Sequence, residues 1–367
     1  MPANRRSVRG QSRSATKSTR SIKPTNPTQA IISTAKGGTK AAGARSARTS
    51  RRRGEQGDGV AATAPRASLY EEVTQKIIAE LEAGRFPWAQ PWESGAATAA
   101  GLPVNAATGR AYSGVNILIL WGAVIARGYP AQRWLTFRQA ATLGGMVRRG
   151  EHGVTVVYAD RFTPEAERAR AEAEGSAPGT VPFLKRFTLF NVAQCDGLDP
   201  ALSLPPAPID VSQQVPAAER VIAASGVAFR VGGNEAFYSP ARDMVVVPPQ
   251  SAFFDAINYY RTCLHELTHA TGHAVRLGRD LSSAFGTPGY AREELIAEMG
   301  SAFLCAALGI VPTVRHADYL CCWLDLLCSD ARAIVRAASA ASRAADWLLA
   351  RVPAASPVDA PLSEPGA

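Results

Sequence analysis

Apolar residues recur at helical spacing at Tyr70, Val73, Ile77, Ile78 and Leu81, and Gly84 follows as a stop, which predicts a first helix. An irregular aromatic and proline segment, residues 85–92, comes next. Residues 115–127 are apolar nearly throughout and predict a buried helix, with Ile117 to Trp121 at its core. A second helix is predicted over 136–143, and Gly144-Gly145 and Arg149-Gly150 mark turns. Residues 154–158 and 186–192 read as strands, separated by a charged Ala/Gly-rich insertion at 165–180 that is expected to be exposed. Beyond a proline-rich stretch, a short helix is predicted at 217–225. Strands follow at 227–231 and 244–247, with Phe237-Tyr238 as a candidate third. Helices are then predicted at 251–273, 291–308, 317–327 and 331–350. This order predicts an α+β chain of two domains. A small α+β domain occupies 67–197, 198–216 is a proline-rich linker, and a mostly helical domain fills 217–351.

Composition changes this picture at the ends. The net charge is +9, yet residues 1–53 hold 14 Lys and Arg with no acidic residue, leaving 26 basic against 31 acidic residues elsewhere. Residues 1–66 therefore read as a disordered basic tail suited to counter phosphate charge, and 352–367 as a second disordered tail. The longest apolar run, 115–126, is broken by Asn116 and Gly122 and falls short of the ~20 residues of a membrane helix. No signal peptide is recognisable. A cytoplasmic protein without a membrane partner is expected. The six cysteines form no C-x-x-C pair; Cys305, Cys321, Cys322 and Cys328 fall in apolar helical patterns and are expected to be buried reduced thiols.

The strongest chemical signal is His265-Glu266-Leu267-Thr268-His269. On a helix, residues four apart share a face, so both imidazoles can reach one Zn²⁺ at ~2.0–2.1 Å. With five histidines and 18 glutamates in 367 residues, the pattern is expected only roughly 0.003 times by chance. Glu266 is the candidate catalytic base, able to take a proton from a water and return it to a leaving amine. A catalytic zinc needs a third protein ligand and an open position. The metzincin extension would place a histidine where this chain has Val275. The stretch Glu294-Leu295-Ile296-Ala297-Glu298-Met299-Gly300 resembles the E-x-x-x-D/E-x-G stretch of gluzincin metallopeptidases. That resemblance implies Glu294 as the third ligand and Glu298 as an outer acceptor for a ligand imidazole. Glu298, Glu293 and His273 remain alternatives for the third position. The strand at 244–247 is expected to run beside the cleft and offer an edge to an extended peptide.

Between residues 110 and 161, seven arginines interleave with aromatic residues, a pattern suited to holding unpaired strands by phosphate contact and base stacking. Trp88, Trp92, Arg110, Arg133, Trp134, Arg138, Arg148 and Arg149 are the candidate contacts. The runs Pro87-Trp88, Pro91-Trp92, Pro103-Val104-Asn105 and Thr108-Gly109-Arg110-Ala111-Tyr112 resemble the ArdC antirestriction family. So do Arg133 to Ala140, Gly144 to Glu151, Phe190 to Cys195, Tyr259-Tyr260 with His265 to His273, and Tyr290 to Leu295. The N-terminal part of the plasmid primase TraC is similar to the same domain. The resemblance spans about residues 67–350. It implies an N-terminal single-stranded-DNA-binding domain and a C-terminal zincin-like metallopeptidase domain, protecting transferred mobile-element DNA from host restriction. A host defence protein is the candidate partner of the peptidase domain, to be cut or merely held. Two further readings stay open: a zinc protease whose N-terminal domain docks a protein partner, and a DNA-coating protein with a purely structural metal.

Overall fold

The computed structural model describes residues 68–88, 101–204, 211–313 and 319–353. The expected tails lie outside these residues but for a few positions, as do Trp92 and the middle of the expected linker.

Helix α1 (Leu69–Glu82) opens on a reciprocal cap, in which Ser68 accepts from the Glu71 N–H and Glu71 accepts from the Ser68 N–H. Its apolar stripe Val73, Ile77, Ile78 and Leu81 is buried. Strand β1 (Val104–Asn105) precedes α2 (Val115–Arg127), which ends at Gly128, a residue with φ +64°. Then come β2 (Arg133–Leu135), α3 (Phe137–Thr142), β3 (Met146–Val147), β4 (Val154–Phe162), α4 (Glu165–Glu174), β5 (Val181–Asn191) and β6 (Cys195–Asp196). The main sheet runs β1-β2-β5-β4, and β3 pairs with β6. The β4–β5 hairpin is antiparallel over its full length. It is longer than its apolar pattern predicted, and α4 forms within the expected insertion.

The remaining elements are α5 (Val211–Ala224), β7 (Ala228–Val231), β8 (Phe237–Ser239), β9 (Met244–Val247), α6 (Ala256–Ala270), α7 (Pro288–Ala307), α8 (Leu320–Ser329) and α9 (Ala333–Leu349). Helix α5 begins inside the expected linker. Pro216, taken from sequence as a boundary, lies within the helix at the cost of one N–H bond. At the linker's start, Leu198 and Leu202 pack on Leu135, Ala140 and Val192. The smaller sheet has the order β7-β9-β8, with β9 parallel to β7 and antiparallel to β8.

The two halves share one core. Buried Ile77, Leu81, Trp88 and Trp121 belong to the same apolar cluster as Phe303, Trp323 and Ile334. Trp88 packs edge-on against Trp323 at 5.5 Å and Trp121 against Phe303 at 5.8 Å. Polar stitches accompany these contacts: the Gly114 N–H donates to Ser342 Oγ at 2.7 Å and Thr74 Oγ1 donates to the Ala331 carbonyl at 2.7 Å. Trp88, expected to stack on bases, is thus a core residue at 1% exposure. Trp134 is likewise corrected to the core at 0%, against Tyr129, Leu120 and Val124. Of the cysteines expected to be buried, Cys305 is, whereas Cys321, Cys322 and Cys328 are exposed. The reason is that α8 buries the stripe Trp323, Leu326 and Leu327 instead. No helix among the described residues is long and apolar enough to cross a membrane.

Trp88→Ala should cost about 3–5 kcal/mol, the usual range for truncating a buried tryptophan. Because its ring spans the two halves, near-ultraviolet and far-ultraviolet melting should shift down together as one transition.

Candidate metal centre

Helix α6 carries His265, Glu266 and His269, and α7 carries Glu293, Glu294 and Glu298. Each helix begins on a side-chain cap: Asp255 accepts from the Ile257 N–H, and Thr287 accepts from the Tyr290 N–H with Pro288 at the first helical position. The helices approach closely where Gly300 faces Thr268. A Cβ at Gly300 would collide with the Thr268 side chain, so only glycine allows this spacing. Gly300 lies in the stretch that suggested the third ligand, and its lack of a side chain brings α7 near enough for Glu294 to meet both rings.

The His265 and His269 rings lie 4.9 Å apart, centroid to centroid. Glu294 Oε2 is 3.5 Å from His265 Nε2, and Glu294 Oε1 is 3.6 Å from His269 Nε2. One ligand atom from each of the three residues falls within 4.8 Å of the others. Tetrahedral zinc at ~2.0–2.1 Å from each donor would separate the donors by roughly 3.4 Å, so the residues fit such an ion. His265, Glu266, Glu294 and Glu298 are all buried. Burial depresses the His265 pKa. Burial also opposes charge on His269, but the Glu293 and Glu294 carboxylates prevail and hold it up at about 10. The two imidazoles hold Glu294 well below the usual carboxylate range despite its burial. Glu266, Glu293, Glu294 and Glu298 gather around the two imidazoles, a concentration of carboxylates suited to a cation.

The outer contacts differ from those the sequence suggested. Glu298 Oε1 is 4.0 Å from His265 Nδ1, beyond a direct hydrogen bond. Glu293, considered from sequence as a ligand, instead accepts from His269 Nδ1 at 3.2 Å, which fixes that proton on Nδ1 and leaves Nε2 facing Glu294. Arg279 grips the same carboxylate with Nε at 3.0 Å and Nη2 at 2.7 Å. It also donates to Thr271 Oγ1 and to the Thr268 carbonyl at the end of α6. Nothing in the sequence singled out Arg279, which sits in a loop with no periodicity. His273 lies past the end of α6, and its Nδ1 accepts from the Val275 N–H at 3.4 Å; it does not join the cluster.

A cavity of about 220 Å³ opens onto the cluster, lined by Glu266, Tyr238, Leu281 and Tyr290 among others. Burial raises the Tyr290 pKa and keeps its phenol protonated. The strand beside the cleft is β8, which supplies Phe237 and Tyr238. The strand expected there, β9, is the centre of its sheet with both edges paired, so β8 corrects that expectation. A three-residue latch ties β8 to the metal helix. Tyr238 Oη donates to Asp243 Oδ1 at 2.7 Å, and Arg276 donates to both Asp243 oxygens at 2.7 and 2.9 Å while also reaching the Ala270 carbonyl.

Of the expected nucleic-acid contacts, Arg110, Arg138, Arg148 and Arg149 are exposed and Arg133 is half-buried. Arg148 is engaged by Glu151 at 2.8 Å and Asp196 at 3.4 Å. Exposed aromatic faces come from Phe137 at 59% and Tyr158 at 54%, which belong to the aromatic and arginine pattern but were not singled out as contacts, and from Phe187, which lies outside it; Tyr158 and Phe187 pack edge-on at 6.2 Å.

Comparison with known proteins matches both halves. Residues 67–190 match the N-terminal domain of the anti-restriction factor ArdC, and residues 216–340 match a zincin-like metallopeptidase domain. The chain is 42% identical over 288 residues to the uncharacterized protein y4eC of Sinorhizobium fredii, covering 77% of this chain and 92% of that protein. It is 38% identical over 299 residues to the DNA primase TraC of Escherichia coli, covering 78% of this chain but 20% of the primase. The crystal structure of the antirestriction protein ArdC from plasmid R388 in its metal-free form aligns at 36% identity and a TM-score of 0.65. Its Mn(II)-bound form aligns at 37% identity and 0.64, and each alignment covers 78% of this chain and 98% of the other.

Glu294→Gln should abolish binding of Zn²⁺ or Mn²⁺ in calorimetry, whereas Glu293→Gln should weaken it by about 10–100-fold. The Asp243 latch should show in a pH series. Arg276 holds the Asp243 carboxyl below its ordinary value against partial burial, so its contribution is present above pH ~3.9 and fades as pH falls through the lowered folded value. Asp243→Asn should therefore melt lower than wild type at pH 7, with the gap closing below about pH 4. Asparagine tolerates the φ of +47° at this position, so the comparison isolates charge.

Proposed function

The chain belongs to the ArdC antirestriction family, and from that premise we propose that it binds single-stranded DNA through its N-terminal half and cleaves a protein through a zinc centre in its C-terminal half. In this reading it acts on transferred mobile-element DNA in the cytoplasm and shields it from host restriction. The observation that carries the enzymatic half is the meeting of His265, His269 and Glu294 at the floor of a cavity that Glu266 also lines. Three protein donors beside an open cavity suit a catalytic centre better than a purely structural metal, whose four protein ligands would close it off.

A divalent ion held by His265, His269 and Glu294 would supply Lewis acidity to a scissile carbonyl. Glu266 accepts the proton of the attacking water at its carboxylate and passes it to the leaving amine. Tyr290, protonated and facing the same cavity, donates to the oxygen on which charge develops. The edge of β8 offers main-chain hydrogen bonds to an extended substrate. In the N-terminal half, Arg110, Arg133, Arg138, Arg148 and Arg149 serve as phosphate contacts, and Phe137, Tyr158 and Phe187 serve as stacking faces in place of the buried tryptophans.

One full-length comparison tests both halves. Glu266→Gln should lose peptide cleavage while keeping its metal and its affinity for oligo(dT). Arg138→Gln with Arg149→Gln should keep cleavage but weaken oligo(dT) binding and flatten its salt dependence by about 1–2 in the log–log slope. Unchanged cleavage in Glu266→Gln would remove the catalytic reading, and an unchanged salt slope would remove the phosphate assignment.

A further inference from the structure

A second cavity, of about 370 Å³, adjoins the metal cleft and shares Asp280, Ser283 and Glu293 with its wall. It lies between the start of α7 and one face of α9. Four arginines line it, Arg279, Arg292, Arg336 and Arg343, against two carboxylates, Asp280 and Glu293. Arg336 and Arg343 stand two turns apart on α9, so both project to the same side as Arg292 from α7. Arg279 is consumed by Glu293, and Arg336 also pairs with Asp330. Arg292 and Arg343 are exposed. Arg292 and Arg343 thus leave a surplus of positive charge in the concavity beyond what Asp280, Glu293 and Asp330 answer, which favours an anion there.

We propose that this arginine pocket is a substrate subsite that takes an acidic side chain of the protein being cut, a few residues from the scissile bond. The inference rests on the peptidase reading and adds a substrate class to it: proteins with an Asp- or Glu-bearing segment. Three features favour a carboxylate side chain over the phosphates of a nucleic acid. The pocket shares a wall with the cleft where a peptide would lie. Asp280 and Glu293 in that wall oppose a continuous run of phosphates. The floor is small and aliphatic, with Ile296, Ala337 and Ala340, which suits the methylenes of glutamate and offers no ring for a base to stack on.

The test uses the full-length, zinc-loaded protein with fluorescein-labelled octaglutamate, octaglutamine and dT8, together with quenched peptides carrying Glu or Gln at successive positions around one cleavage site. Arg336→Gln with Arg343→Gln is the variant, and Arg336→Lys with Arg343→Lys checks that charge in the right place restores binding. Octaglutamate should bind at least about tenfold more tightly than octaglutamine. The Gln variant should erase that preference, and its kcat/KM should fall for Glu-containing peptides but stay unchanged for the Gln series. Equal binding of octaglutamate and octaglutamine, or cleavage indifferent to Glu at every position, overturns the subsite and leaves the peptidase standing. Arginine-dependent octaglutamate binding with no peptide cleaved supports an acidic site and overturns the peptidase reading instead. Binding of dT8 lost in the Gln variant, with octaglutamate ignored, overturns the proposal in favour of phosphate.

Discussion

The metal centre depends on how closely two helices lie together. Its three donor residues come from α6 and α7, and no single helix could present all of them. The contact of Gly300 with Thr268 sets the distance, since any larger residue would wedge the helices apart. Arg279 then sets the rotation, because it holds the Glu293 carboxylate from α7 and the last turn of α6 in one guanidinium. Given that spacing and rotation, the two oxygens of Glu294 fall at 3.5 and 3.6 Å from the two imidazole nitrogens without further adjustment.

Charge follows from the same geometry. Burying several carboxylates together is costly unless positive charge compensates. Arg279 answers Glu293, and the Glu293 and Glu294 carboxylates in turn hold the pKa of His269 up against its burial. The contact of His269 Nδ1 with Glu293 leaves Nε2 turned toward Glu294, the side on which a divalent cation would be held. The latch among Tyr238, Asp243 and Arg276 extends this order to the edge strand, fixing β8 relative to the end of the histidine-bearing helix.

Elements with strong local pattern were legible in the sequence. Helix α2 matches its expected range to the residue, and so does β9. The metal motif was legible because helical spacing alone places His265 and His269 on one face. Contacts between distant segments were not. Trp88 and Trp134 looked like surface rings because they sit among prolines and arginines, and only the packing of α8 on Trp88 and of Tyr129 on Trp134 puts them inside. Arg279 and the edge role of β8 were invisible for a similar reason: a loop arginine and a three-residue strand carry no period, and sheet order is decided by non-local pairing. Pro216 misled through a rule that holds on average but fails in α5.

The core shared by the two halves bears on heredity as well as stability. A recombination event that moved either half alone would strip the cover from Trp88, Trp121, Phe303 and Trp323 and expose an adhesive apolar face. The match to the TraC primase covers 78% of this chain, more than either half alone could supply.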